Sequence, residues 1–348
     1  MITGARSLQP FTAGQLRAHQ GLLVGAALLF ILATATVSVA FPLATYTLSL
    51  ALFGLAHVLS ELRFVDLRYG RRIGVHLRIT IGLLLVGVVG LRIAQIGGWI
   101  PVSIARTAEV ALVLLLSVSV IPHLARRSLV AGGVGLLVSA LLLVGLLISP
   151  IHTLLLLAIL HNLTPLGFLA DVLPRERRLP LMLAAIAIFV AIPLFIATGT
   201  PFSWIRSLGW AMPEASILPA GPLSDHIGAY LHSSFHYEAW ALHAFSAVVF
   251  AQCMHYAVVI HVLPRLLPED AEQSGGLIPW PKQPVFVAII VILSALLFAY
   301  FVWSFHDARA VYGVAAAVHA WIEVPILMLA LLAAFGMAHS LSEPVKPD

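Results

Sequence analysis

Residues Leu43 to Arg63 read LATYTLSLALFGLAHVLSELR, and this stretch decides the fold. No Asp, Glu, Lys or Arg occurs between Leu43 and Ser60. As a helix the stretch rises about 30 Å, the thickness of a bilayer's hydrocarbon core. It also carries His57 and, one helical turn later, Glu61. Hydrocarbon disfavours such groups, so they need partners or a purpose.

Similar apolar runs extend in both directions from it. They predict ten spans, near 20–41, 43–63, 75–98, 102–123, 128–148, 151–171, 180–199, 238–263, 284–305 and 310–338. Pro42, Pro101, Pro150, Pro180 and Pro284 sit near their starts or ends, where a helix cannot continue. Of the 348 residues, 61% are hydrophobic and only 10% charged, and the mean hydropathy is +1.02. A soluble domain carries about a quarter charged residues. The expected fold is therefore all-α: one integral membrane domain over 1–348, a polytopic helical bundle.

Arg6 and Arg17 precede an apolar run ending Ser38-Val39-Ala40, a small-x-small pattern. The run from Gly21 to Phe41 exceeds a usual signal-peptide core, so it reads as a retained first span. The single cysteine, Cys253, lies within a span and excludes a disulfide framework or a CxxC zinc motif. The basic residues sit in short connections, so the sequence pI of about 9.5 does not indicate nucleic acid. With the N-terminus in the cytoplasm, 15 basic residues fall inside and only Arg92, Arg106, Arg206 and Arg309 outside. This bias puts both termini inside and makes 200–237 an extracytoplasmic loop. A bacterial cytoplasmic membrane is the expected location, and the lipid bilayer the expected environment.

The histidines point to chemistry. His57, His161, His255 and His319 fall in spans 2, 6, 8 and 10, which all run from outside to inside. Imidazole is the commonest side-chain metal ligand. Counted from the outer ends, the four lie about 14–26 Å deep. That spread of about 10 Å would strain a single four-ligand site unless the helices tilt or stagger; two metals, or fewer ligands, would also fit. Glu61 and Glu323 each follow a histidine by four residues and share its helix face. Each carboxylate could ligate, or accept the other ring N–H and fix the tautomer. His339 and Glu343 repeat the spacing in the C-terminal tail, so location in hydrocarbon carries the argument. The bland alternative for each intramembrane histidine is a hydrogen bond between helices.

Other polar groups have local readings. Asn162 could donate to a ligand or tie helices together. His261 lies about 240° around the helix from His255 and belongs to the inner interface. His123 and His152 sit at span ends. His232, His236 and His243, at i, i+4 and i+11, could share one helical face as an outer metal site or substrate entrance, or form an interfacial segment anchored by Tyr230, Tyr237 and Trp240. Arg106 and Glu109, three apart, predict an ion pair. Arg63, Asp66, Arg68, Arg71 and Arg72 read as a topology determinant able to touch anionic headgroups.

Four patches, Ala56-His57 through Glu61, Leu160-His161-Asn162, Met254-His255-Tyr256 and Val318-His319 through Glu323, resemble the Brp/Blh family of membrane carotenoid-cleaving oxygenases. The resemblance is confined to those patches. Ala56 and Val58 flank His57 where that family has a Pro-His-Gly type motif, and the spans are more numerous. The resemblance implies non-haem iron and says nothing of carotenoid specificity.

Four functions compete. In the leading one, neutral histidines hold iron, with Glu61 and Glu323 as ligands or bases, in an oxidoreductase acting on a lipophilic small molecule that arrives from the bilayer. A transporter or metal-handling permease with a His/Glu pathway is the second, which broken spans or internal repeats would favour. A b-type haem electron carrier using pairs of the same histidines is the third. The fourth is a structural subunit of a larger membrane complex. No nucleotide-binding glycine loop or serine-hydrolase elbow is evident.

Overall fold

A computed structural model describes residues 13–70, 73–228, 231, 235–236, 238–267 and 276–334. All regular structure among them is helical. The helices are α1 (Ala13–Ala40), α2 (Pro42–Tyr69), α3 (Val75–Ile96), α4 (Val102–Arg127), α5 (Leu129–Ile148), α6 (Pro150–His161) and α7 (Thr164–Val172). They continue as α8 (Arg175–Ala197), α9 (Thr200–Ser207), α10 (Leu223–Gly228), α11 (Ala239–Leu266), α12 (Gln283–Trp303) and α13 (Phe305–Ala334). Nine of the described helices are long and apolar enough to cross a membrane, and the pair α6–α7, bent by 41°, makes a tenth if it is one span. The protein is an all-α polytopic membrane bundle.

The spans are not equivalent. In α2, α11 and α13 about half of the most apolar window is buried (56%, 56% and 50%), against 11–17% in α1, α3, α8 and α12. The first three therefore form the core and the other four a lipid-facing shell. Large side chains such as Leu29, Leu83, Val291 and Leu296 point outward from that shell, as expected where hydrocarbon is the solvent. α2 packs against α11, α12 and α13, and α13 also packs against α3, α4 and α7.

Close approach has visible causes. An added Cβ at Gly54 would lie 3.1 Å from the Tyr312 ring, so glycine lets α2 and α13 meet. Gly199, at φ 79°, turns the chain from α8 into α9. Single residues, Phe41, Ser128, Ser149 and Ser304, separate α1 from α2, α4 from α5, α5 from α6 and α12 from α13.

The Arg63–Arg72 cluster is more structural than its composition suggests. Asp66 is buried and accepts hydrogen bonds from the Leu277 and Ile278 amides (both 3.0 Å) and the Trp280 indole (2.9 Å). Arg68 forks onto Asp171 at 2.9 and 3.1 Å, which also accepts from the Tyr69 hydroxyl. Arg63 donates to Gln283 and covers the Phe286 ring. Arg71 and Arg72 lie outside the described residues.

The predicted Arg106–Glu109 pair is not what forms. Glu109 faces the packed junction of α3, α4 and α13, where it accepts from Arg92 at 2.6 Å and from the Trp321 indole at 2.7 Å. A buried carboxylate takes partners from the helices it faces.

Candidate metal centre

Three of the four intramembrane histidines come from the core helices: His57 of α2, His255 of α11 and His319 of α13. All three are almost fully buried. The fourth, His161, is the last residue of α6. Helix α6 stops there because Pro165 opens α7 and cannot donate to a preceding carbonyl. The negative end of the α6 dipole accompanies His161 to this point and favours a cation. In α11, a π-turn at Val258–Val262 follows His255 by one turn and rephases the helix beyond it.

One atom from each of the four imidazoles lies within 4.8 Å of all the others. The expected depth mismatch of about 10 Å is thereby corrected. α13 begins at Phe305, not near 310, and carries His319 correspondingly deeper.

Inside the cluster, His319 Nε2 is 3.0 Å from His57 Nε2 and 3.0 Å from His161 Nε2. His161 Nδ1 is 2.5 Å from Glu323 Oε2, so its proton belongs on that side and its Nε2 presents a lone pair. Glu323 Oε1 accepts from the Thr164 hydroxyl at 3.0 Å. A single N–H on His319 Nε2 cannot point at both neighbouring nitrogens, and with His161 Nε2 a lone pair, neutral imidazoles leave at least one of these two contacts without a hydrogen bond. A cation bound by all three resolves this. Two nitrogens each about 2.1 Å from an ion and about 90° apart would be about 3.0 Å from one another.

The surrounding polar atoms point the same way. Both nitrogens of His255 and both oxygens of Glu61 are buried without a hydrogen-bond partner, while the His57 and His319 rings face the Phe53 and Ala315 carbonyls one turn back on their own helices. Glu61 Oε2 lies 3.4 Å from His255 Nε2. Buried groups of this kind are normally satisfied. Glu61, His161 and Glu323 form a second set of donors within 4.8 Å of one another, sharing His161 with the first. The residues present therefore fit a metal ion. Axial histidines of a haem sit on opposite faces, with their nitrogens about 4 Å apart across the iron. Nitrogens 3.0 Å apart leave no slot for the macrocycle.

A cavity of about 560 Å³ runs from this cluster between α6 and α11. His57, His161 and His319 line it at one end, and its walls include Leu50, Phe245, Val249 and Ala316. The Tyr256 ring stacks on His57 with centroids 4.0 Å apart, and its hydroxyl shares a hydrogen bond with Tyr312. Asn162 lines the cavity while donating to the Ala158 carbonyl, which caps α6.

The outer histidines are placed differently. His236 lies in a turn before α11 and donates to the Leu231 carbonyl at 2.8 Å, whereas His243 lies inside α11 beside Phe202. One helical face therefore does not carry both, and His232 lies outside the described residues. His226 is the buried histidine at this end: it donates from Nε2 to the Ala220 carbonyl at 2.9 Å. His261 lines two clefts on the flank of the bundle, away from the cluster.

Sequence reading missed Thr164, Arg92 and Trp321. Thr164, three residues after His161, offered a spacing signal; Arg92 and Trp321 reach the site's surroundings only through packing between distant helices. Comparison with protein-family models, curated proteins and solved structures finds no match to this chain.

Proposed function

We propose that the protein is a membrane-embedded, metal-dependent oxidoreductase that uses non-haem iron on a lipophilic substrate. The observation that carries this reading is the convergence of three Nε2 atoms at 3.0 Å spacing on the end of an apolar cavity. His57, His161, His255 and His319 would hold the ion. Imidazole suits iron, and four nitrogens do not fill an octahedral shell. When bound, iron would supply the electrons that activate dioxygen. Glu323 orients His161 and raises its basicity. Glu61, whose oxygens have no hydrogen-bond partner, is the group placed to take up a proton beside the ion. The buried walls exclude water from that step. The limited likeness to the Brp/Blh family agrees with iron.

Metal analysis and an optical spectrum of the purified chain test the reading. Iron without a Soret band, lost in both His57→Ala and His319→Ala, is the expected outcome. A Soret band, or a chain that binds no metal, overturns it.

The break between α6 and α7 at the histidine site favours a second reading, a permease with a His/Glu pathway. Metal flux into proteoliposomes that is abolished by Glu61→Gln would support it over the first.

A further inference from the structure

One ion among the four imidazoles leaves two carboxylates unexplained. Glu61 of α2 and Glu323 of α13 each offer an oxygen within 4.8 Å of the other's and of a His161 nitrogen. Both side chains are almost fully buried. Two carboxylates this close in hydrocarbon need positive charge between them. His161 Nδ1, 2.5 Å from Glu323 Oε2, supplies one hydrogen bond there. It serves Glu323 and does nothing for Glu61, neither of whose oxygens has a hydrogen-bond partner. His255 Nε2, 3.4 Å from Glu61 Oε2, does not make one either.

His161 divides the centre. Its Nε2 faces His319 Nε2 at 3.0 Å, while its Nδ1 faces the carboxylate side. The two nitrogens of one ring point away from each other, so they address two different sets of donors and cannot serve one ion together. Ligands about 2.1 Å from a cation lie up to about 4.2 Å apart, so the second set closes on an ion with movements of about half an ångström. Glu323 can join without releasing the Thr164 hydroxyl, because each carboxylate oxygen has two lone pairs.

We propose that the centre is dinuclear, with the first ion among the imidazoles and a second divalent cation on Glu61, Glu323 and His161 Nδ1. The second ion takes the place of the proton now on Nδ1, which leaves to water, and His161 then bridges the pair. Two carboxylates and the bridging imidazolate offset three of the four positive charges, which limits the cost of burying them. Imidazole suits iron and carboxylate suits manganese, so the mixed set admits either. With about 2.1 Å at each nitrogen, the ions stand about 6 Å apart across the ring. The proposal rests on the metal reading for its first ion and deepens it. In the fully loaded centre Glu61 holds a cation; in the singly loaded one it takes up a proton. The first ion pins the His161 ring, so the second site fills after the first.

The test counts ions. The full chain in an uncharged detergent is stripped of metal, loaded with iron(II) or manganese(II) without oxygen, desalted and assayed for metal per chain. The wild type should retain two ions, Glu61→Gln one and His57→Ala none. Manganese-loaded wild type should give a spin-coupled electron paramagnetic resonance signal, and Glu61→Gln the signal of an isolated ion. Glu61→Gln keeps the side chain's shape, and its retained ion reports that the fold and the first site are intact. One ion in the wild type overturns the second site and leaves the metal reading standing, whereas no ion overturns both. Two ions without coupling, two ions retained by Glu61→Gln, or loss of both from that variant also overturns the proposal.

Discussion

Glu323 shows how one side chain can set the state of another. Its two oxygens are occupied by His161 Nδ1 and the Thr164 hydroxyl, which fixes the histidine's tautomer and turns its free nitrogen toward the other rings. Glu323→Gln should lower metal affinity by about 10–100-fold, read by competition with a chelator, and leave the helical content unchanged. Thr164→Val should weaken it less, since it frees one oxygen and leaves the imidazole contact. His226 carries a pH signature of its own. Burial lowers its pKa, so its contribution to stability is present above the unfolded value of about 6.5 and is lost as pH falls through the folded value. The thermal midpoint should therefore fall between pH 7 and pH 5, and His226→Gln should remove part of that slope.

Among the elements, the ones that sequence exposes are those hydrocarbon dictates. An uninterrupted run of about 20 apolar residues has few alternatives to a membrane helix, so nearly every span is visible from composition alone. Boundaries are another matter. α13 begins at Phe305, before His306, Asp307 and Arg309, because Ser304 bonds Asp307 and stabilises a polar first turn that hydropathy places outside the span. That shift is what brings His319 level with His57. The partner of Glu109 was not legible either: Arg92 and Trp321 come from other helices, and no local spacing encodes that meeting. The histidine quartet was legible as four polar residues in oil, while its convergence was not. Asp66 joins two elements in the same way, gathering three donors from 277–280 onto α2. Asp66→Ala should cost about 2–4 kcal/mol, read as a lower unfolding midpoint in detergent, because charged hydrogen bonds are lost and buried donors are left unmet.

For the molecule as a whole, the bundle divides into three central helices and a surrounding shell, and the site sits where the central three meet the broken α6–α7 span. The distribution of arginines predicts which end faces the cytoplasm. In a Cys253→Ser background, Ser207→Cys should react with a membrane-impermeant maleimide in intact cells, and Glu176→Cys only after permeabilisation; the reverse pattern would invert the assignment. His57 and His319, whose rings touch, stand 262 positions apart along the chain. Biosynthesis therefore delivers the first imidazole to the bilayer long before the last. A nascent polypeptide arrested ahead of α13 carries only three of the four, so the quartet is complete only once α13 has been made.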